Sequence, residues 1–264
     1  MYSTRYVNAK DIAEAVDQLI SAEDGKLLAG GMTLIPTLKQ RLAKPDRLVD
    51  LAKCGLVGIE DDGSSIRIGA MTRHVDVANS DLVQKAIPAV ANLANHIGDR
   101  QVRNRGTIGG SVANNDPSAC YPSAVLALGG TVHTNKRSID AEVFFTGMFD
   151  TALDEDEIIT SISLPKPEKA AYMKFPNPAS RYAMVGVFVA KFTDDVRVAI
   201  TGAGEDGVFR SAELEDALNS DFNPGAIDEV TISPDGLMSD IHASAEYRAH
   251  LIAEMTRRAV VACG

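Results

Sequence analysis

The sequence predicts an α+β protein built from two or three lobes, and three observations carry this reading. Its 264 residues exceed one ordinary domain and can bury a real core. The first fifty residues alternate helix-like and strand-like patterns in the manner of a small βαβ unit. The last third runs as consecutive strands followed by helices, the order typical of an α+β lobe.

From the N-terminus, Asn8 to Ser21 places Ile12, Ala15, Val16, Leu19 and Ile20 on one helical face. "KLLAGG" is a short apolar strand ending on Gly30-Gly31, and "MTLIPTLKQRLA" is the helix after it, with a proline its first turn tolerates. "RLVDL" completes the βαβ unit. From Gly55 the texture changes: "SSIRIGA" reads as a strand, "TRHVDVANS" as a short helix and "AIPAVANLANHIG" as a longer one. A glycine-rich stretch from Val102 leads to the helix "PSAVLALGG", with Pro122 near its start. "GTVHTN" and "DEIITSISLP" are strands, and Pro165-Lys166-Pro167 reads as a linker. Beyond it "AYMKF", "MVGVFVAKF" and "VRVAITGAG" form a meander, and two or three helices finish the chain, the last being "SAEYRAHLIAEMTRRAVVAC". The domain division is therefore residues 1–167, with lobes of about 1–54 and 55–167, and residues 168–264.

A net charge of −10 argues against binding nucleic acid or an anionic membrane, because phosphate contact needs a basic face. No apolar run approaches the roughly 18 residues a membrane span requires, and the N-terminus has no signal-peptide pattern, so a cytoplasmic location is expected. Cys54, Cys120 and Cys263 are too few and too scattered for a disulfide framework or a self-contained iron–sulfur cluster. The five histidines lack metal-ligand spacing, and neither a G-x-S-x-G elbow nor a P-loop is present. Any chemistry here borrows an organic cofactor.

Gly30-Gly31 and Gly109-Gly110 share a logic. Glycine lets a backbone N–H reach a phosphate oxygen unobstructed, and a helix N-terminus adds partial positive charge. Two such turns can clamp the two phosphates of one dinucleotide; the plain alternative is a pair of tight turns. "TGAGEDG" also fits G-x-G-x-x-G through Gly202, Gly204 and Gly207, but Glu205 and Asp206 put negative charge where a pyrophosphate belongs and no helix follows, so it reads as a hairpin or loop. Asn114, Asn115 and Asp116 suit ribose hydroxyls, or else cap and turn the chain. Arg100, Arg103 and Arg105 form either a solvated face or a docking patch. Tyr182 and Lys174 fall on strands, where the ordinary roles are packing and surface.

These motifs carry a resemblance. "LLAGGMTLIPTLKQRLAKPDRLVDL", "IGDRQVRNRGTIGGSVANNDPSACYPSAVLAL", "DEIITSISLP" and the tail "SDIHASAEYRAHLIAEMTRRAV" resemble the FAD-binding medium subunit of the molybdenum hydroxylases, which include aerobic carbon monoxide dehydrogenases and xanthine dehydrogenases. The resemblance spans nearly the whole chain. It implies a two-lobed FAD-binding domain of the vanillyl-alcohol-oxidase-like type, a C-terminal α+β lobe of the carbon monoxide dehydrogenase flavoprotein type, and noncovalent FAD. Carried over by position, the first FAD loop falls on Leu27, Leu28, Ala29, Gly30, Gly31, Met32, Thr33 and Leu34, and the second on Thr107, Ile108, Gly109, Gly110 and Ser111. Ile97 and Ile159 match apolar residues against the flavin, Lys174 matches a flavin-side lysine, and Tyr182 matches a tyrosine near the isoalloxazine. Met32 stands where many relatives have Thr, His or Asn. Cys120 stands where many have an FAD-contacting Asp, which leaves Asp116 to supply that polar contact, with Asn114 beside it.

The resemblance further implies an electron-transfer subunit with no catalytic base or metal site of its own. Iron–sulfur (2Fe-2S) clusters in a small subunit feed the FAD, molybdopterin sits in a large subunit, and NAD, a quinone or O2 accepts the electrons. The implied assembly is a dimer of heterotrimers, with the arginine cluster near the iron–sulfur subunit. Two other classes remain in view: a self-sufficient flavin oxidase of the vanillyl-alcohol type, and a non-enzymatic nucleotide-binding subunit.

Overall fold

The computed structural model describes residues 1–264. The first lobe comprises β1 (Arg5–Asn8), α1 (Ile12–Ile20), β2 (Gly25–Leu28), α2 (Leu34–Lys39) and β3 (Arg47–Asp50). Its three strands are parallel in the order β1-β3-β2. The expected helix over 8–21 starts at Ile12, because Asp11 caps it by accepting the Glu14 N–H at 2.8 Å while the Glu14 carboxylate accepts the Lys10 N–H. Asn8 instead ends β1, a strand whose half-exposed "RYVN" shows no clear apolar alternation.

The second lobe contains β4 (Ile59–Asp61), β5 (Ser65–Gly69), α3 (His74–Ala78), α4 (Asp81–Ala86), α5 (Pro88–Asn95), α6 (Arg100–Arg105), α7 (Ile108–Asn114), α8 (Tyr121–Ala127), β6 (Thr131–Thr134), β7 (Ser138–Asp140), α9 (Ala141–Phe144), β8 (Phe145–Gly147), β9 (Asp150–Thr151) and β10 (Ile159–Pro165). Five of the strands make an antiparallel sheet, β4-β5-β10-β6-β7. The glycine-rich stretch is not a loop: α6 and α7 occupy it, and Gly109-Gly110 lie in the first turn of α7.

The remainder is a four-stranded antiparallel meander, β11 (Lys169–Pro176), β12 (Ala183–Lys191), β13 (Val196–Gly204) and β14 (Gly207–Arg210), followed by α10 (Ala212–Ser220), a 3-10 turn at Pro224–Ile227 and α11 (Ala245–Ala262). β12 is buried along eight consecutive residues because both of its faces are covered. Val185, Val187 and Val189 pack with Ile252 and Met255 of α11, while Phe188 and Ala190 join the core of the second lobe with Val125 and Leu93. Gly202, Gly204 and Gly207 belong to the β13–β14 hairpin, which turns at Glu205-Asp206, the hairpin the sequence leads one to expect. No helix is long and apolar enough to cross a membrane.

Candidate functional site

The two glycine pairs meet where the lobes join. β2 ends at Leu28, and the turn that follows carries Gly31 at φ 72°. Gly30 packs directly under the end of α6: a Cβ there would lie 2.1 Å from the Arg105 carbonyl oxygen and 2.7 Å from the Gly106 Cα. Its missing side chain therefore serves contact between the lobes. The backbone N–H groups from Gly30 to Leu34 find no acceptor in the protein. Unpaired donors converging at the start of a helix form an anion cradle.

The second pair works differently. Ile108 and Gly109 donate their N–H groups to Thr72 O at 3.1 Å and Ala70 O at 2.9 Å, and the Gly110 N–H reaches the capping hydroxyl of Thr107 at 3.2 Å. These amides are already engaged, contrary to a symmetric clamp of two free-amide turns. Gly109 is hemmed in by Ala70, 2.5 Å from a would-be Cβ, whereas a Cβ on Gly110 would meet only the Thr107 hydroxyl, at 3.0 Å, and the Ala29 Cβ, at 3.4 Å. Helical spacing puts Thr107, Gly110, Ser111 and Asn114 on one face, and all four line the same cavity.

That cavity has a volume of about 480 Å³, within the range of small-molecule sites. Of the residues expected at the site, Leu27, Ala29, Gly30, Gly31, Met32, Thr33, Leu34, Ile97, Thr107, Gly109, Gly110, Ser111, Asn114, Asp116, Cys120, Ile159, Lys174 and Tyr182 line it. Leu28 and Ile108 do not; Ile108 is fully buried in the core beneath α7, and Leu28 lies under Gly31. Asn115 takes the turn-making role: at φ 40° it donates to Gly147 O and Asp150 O, both at 2.8 Å.

The C-terminal sheet closes the cavity from the other side. Thr201 donates its hydroxyl to Pro117 O and Ala119 O, fixing the turn that presents Asp116 and Cys120. Asp116 accepts the Ser118 N–H, and its burial raises its carboxyl above the usual range. Lys174 reaches from β11 to donate to His96 O at 2.8 Å, with the Cys120 Sγ 3.5 Å away. Tyr182 stands half-exposed at the mouth next to Arg181, which holds φ 64°. Burial, and then the nearby Asp116 charge, push the Tyr182 phenol up.

Several lining residues were not legible in the sequence. His74 is 4% exposed, its Nδ1 has no partner, and its Nε2 fills the space a Gly106 side chain would need. Burial, and secondarily the Arg103 charge, lower its pKa to about 4. Glu157 lies on the far wall, held by Arg137 and Thr134 and lowered to about 2, first by the Arg137 hydrogen bond. Neither position carries a motif; only the topology brings α3 and the approach to β10 against the glycine turns.

A βαβ lobe and an α+β lobe joined across a long cleft, with an amide cradle at the first strand-to-helix turn, define a two-lobed dinucleotide-binding protein. Residues 2–167 match the family model described as the FAD binding domain in molybdopterin dehydrogenase. The chain is 38% identical to the nicotine 6-hydroxylase medium subunit of Paenarthrobacter nicotinovorans, over 98% of this chain and 97% of that one. It is 31% identical to the carbon monoxide dehydrogenase medium chain of Hydrogenophaga pseudoflava, covering 97% and 95%. The solved structure of reconstituted carbon monoxide dehydrogenase from Oligotropha carboxidovorans superposes with a TM-score of 0.90 at 31% identity, covering 99% and 98% of the two chains. The chain belongs to the FAD-binding medium subunits of the molybdenum hydroxylases. It is an oxidoreductase subunit that carries FAD and works in a multi-subunit complex.

Proposed function

We propose that the cleft holds FAD noncovalently, with its pyrophosphate against the free amides of Gly30 to Leu34 and its isoalloxazine between Ile97, Ile159, Lys174 and Tyr182. The run of unpaired N–H groups along the cavity wall is the observation that carries this reading, since backbone donors that no protein group engages are open to the phosphate oxygens of a ligand. Ser111 and Asn114, whose side chains bond to nothing in the protein, face the same space and suit phosphate or ribose oxygens. Gly110 leaves the room that a side chain would take. Asp116 supplies a polar contact at the Cys120 turn. Bound FAD supplies the junction between one-electron and two-electron chemistry. The protein's own groups bind, orient and tune it, and no general base or nucleophile is assigned.

In the complex, this chain joins an iron–sulfur small subunit and a molybdopterin large subunit in a cytoplasmic dimer of heterotrimers, and its FAD passes electrons from the iron–sulfur clusters to NAD, a quinone or O2. The relatives' names differ in substrate, nicotine for one and carbon monoxide for another. This supports placing substrate choice in a different subunit. Arg100 and Arg105 are exposed on α6, beside the cavity, without carboxylate partners; Arg103 instead spends its guanidinium on Ile97 O and Gly98 O. The first two suit an acidic surface of the iron–sulfur subunit.

The test is a visible spectrum of the purified full chain, followed by acid precipitation. Yellow protein that releases FAD into the supernatant supports the reading. A colourless chain that takes up no FAD on reconstitution overturns it, and turnover of a small alcohol or phenol by the chain alone would point to a self-sufficient oxidase.

A further inference from the structure

Two ammonium groups line the cavity. Lys26 is paired with Asp24 at 3.2 Å. Lys174 has no carboxylate within 4.0 Å; its Nζ rests on a carbonyl oxygen, His96 O, and a thiol, Cys120 Sγ. The cavity's own carboxylates are committed elsewhere: Glu157 forms a bidentate pair with Arg137, and Asp116 accepts from the Ser118 backbone. Lys174 is nevertheless firmly placed. It shares one face of β11 with the buried Tyr172, two residues before it, and crosses from the C-terminal sheet to the end of α5 and the start of α8.

We infer that Cys120 is a positioning residue for the cofactor's electrostatics: its thiol helps seat the Lys174 ammonium without cancelling its charge, so the full cation acts on whatever occupies the cavity. A carboxylate in the same place would hold the lysine equally well and neutralise it. The distinction is large in a partly buried wall, where a unit charge is weakly screened. With flavin in the cavity, the unpaired cation favours the reduced, more anionic form and raises its midpoint potential. Cys120 is 4% exposed, and Asp, Asn and Ser are close to cysteine in size, so the exchange changes charge with little change in shape.

The inference rests on FAD occupying this cavity. The experiment is spectroelectrochemical titration of the full chain reconstituted with FAD, comparing wild type with Cys120→Asp, Cys120→Asn, Cys120→Ser and Lys174→Met. Cys120→Asp should lower the flavin midpoint potential toward that of Lys174→Met, while the uncharged Asn and Ser variants stay near wild type. The idea is overturned if Cys120→Asp and Cys120→Asn give the same potential. It is equally overturned if Lys174→Met leaves the potential where it was, a result that needs no Cys120 variant to fold. Failure of the FAD assignment looks different, since wild type itself would then hold no flavin to titrate.

Discussion

Gly30 and Arg105 meet backbone to backbone across the two lobes, with room for no side chain between the Gly30 Cα and the Arg105 carbonyl oxygen. Gly110, two residues into the opposite helix, has no such constraint. The two glycines therefore answer different questions. Gly30→Ala should destabilise the fold by about 2–3 kcal/mol through overpacking, seen as a lower denaturation midpoint. Gly110→Val should leave that midpoint close to wild type yet weaken FAD binding by roughly 10- to 100-fold, measured by flavin fluorescence titration. A Gly110→Val chain that binds FAD as tightly as wild type would remove α7 from the cofactor site.

His74 predicts an acid-side weakness. Burial holds its pKa near 4, below the 6.5 of an exposed histidine, so the unfolded chain takes up the proton first. Stability from this group is intact above pH 6.5 and is lost as the pH falls toward 4, reaching about 3 kcal/mol at the lower limit. Urea unfolding at pH 7 and pH 5 should show a drop in wild type that shrinks by about 2 kcal/mol in His74→Asn. An identical pH dependence in both chains would mean that the imidazole is solvated.

Arg100 and Arg105 are the free members of their cluster. Changing both to Glu should weaken co-purification of the iron–sulfur subunit and make the remaining association strongly salt-sensitive, with FAD content unchanged. A complex that survives intact in high salt would leave these arginines as solvated surface, and loss of FAD would assign them to the cofactor site.

Asn115 ties the end of α7 to the β8–β9 hairpin through two hydrogen bonds while holding a left-handed backbone. Asn115→Ala removes both hydrogen bonds of a buried side chain and strains φ, a cost of about 2–4 kcal/mol in chemical denaturation. Asn115→Gly relieves the backbone strain and should recover about 1 kcal/mol of that loss. Equal stability of the two variants would show that the backbone term is negligible.

The legible parts of this protein are those with a local signature. The βαβ period, the two glycine pairs, the charge of Glu205-Asp206 in the third glycine motif and the unbroken apolar run of β12 each follow from neighbouring residues. What stayed hidden depends on distant ones. Thr107 to Ser111 is expected as a loop, and its glycines lower helix propensity, yet Thr107 caps α7 there, and Thr72 and Ala70 accept the amides that start it. His74 looks like one polar residue on a short helix until the topology sets it beneath Gly106. The packing reason for Gly30 is equally non-local: the Arg105 carbonyl that leaves no space for a side chain there lies 75 residues away in the sequence.

β12 has one further consequence. Its valines face α11 while Phe188 and Ala190 face the helices of the second lobe, so a single strand is shared property of two cores. The junction near residue 167 divides the sequence but not the cooperative unit. Amide protons of β12 should exchange with deuterium only through global opening. Severing the chain at that junction should therefore yield two insoluble fragments that recover structure only when mixed.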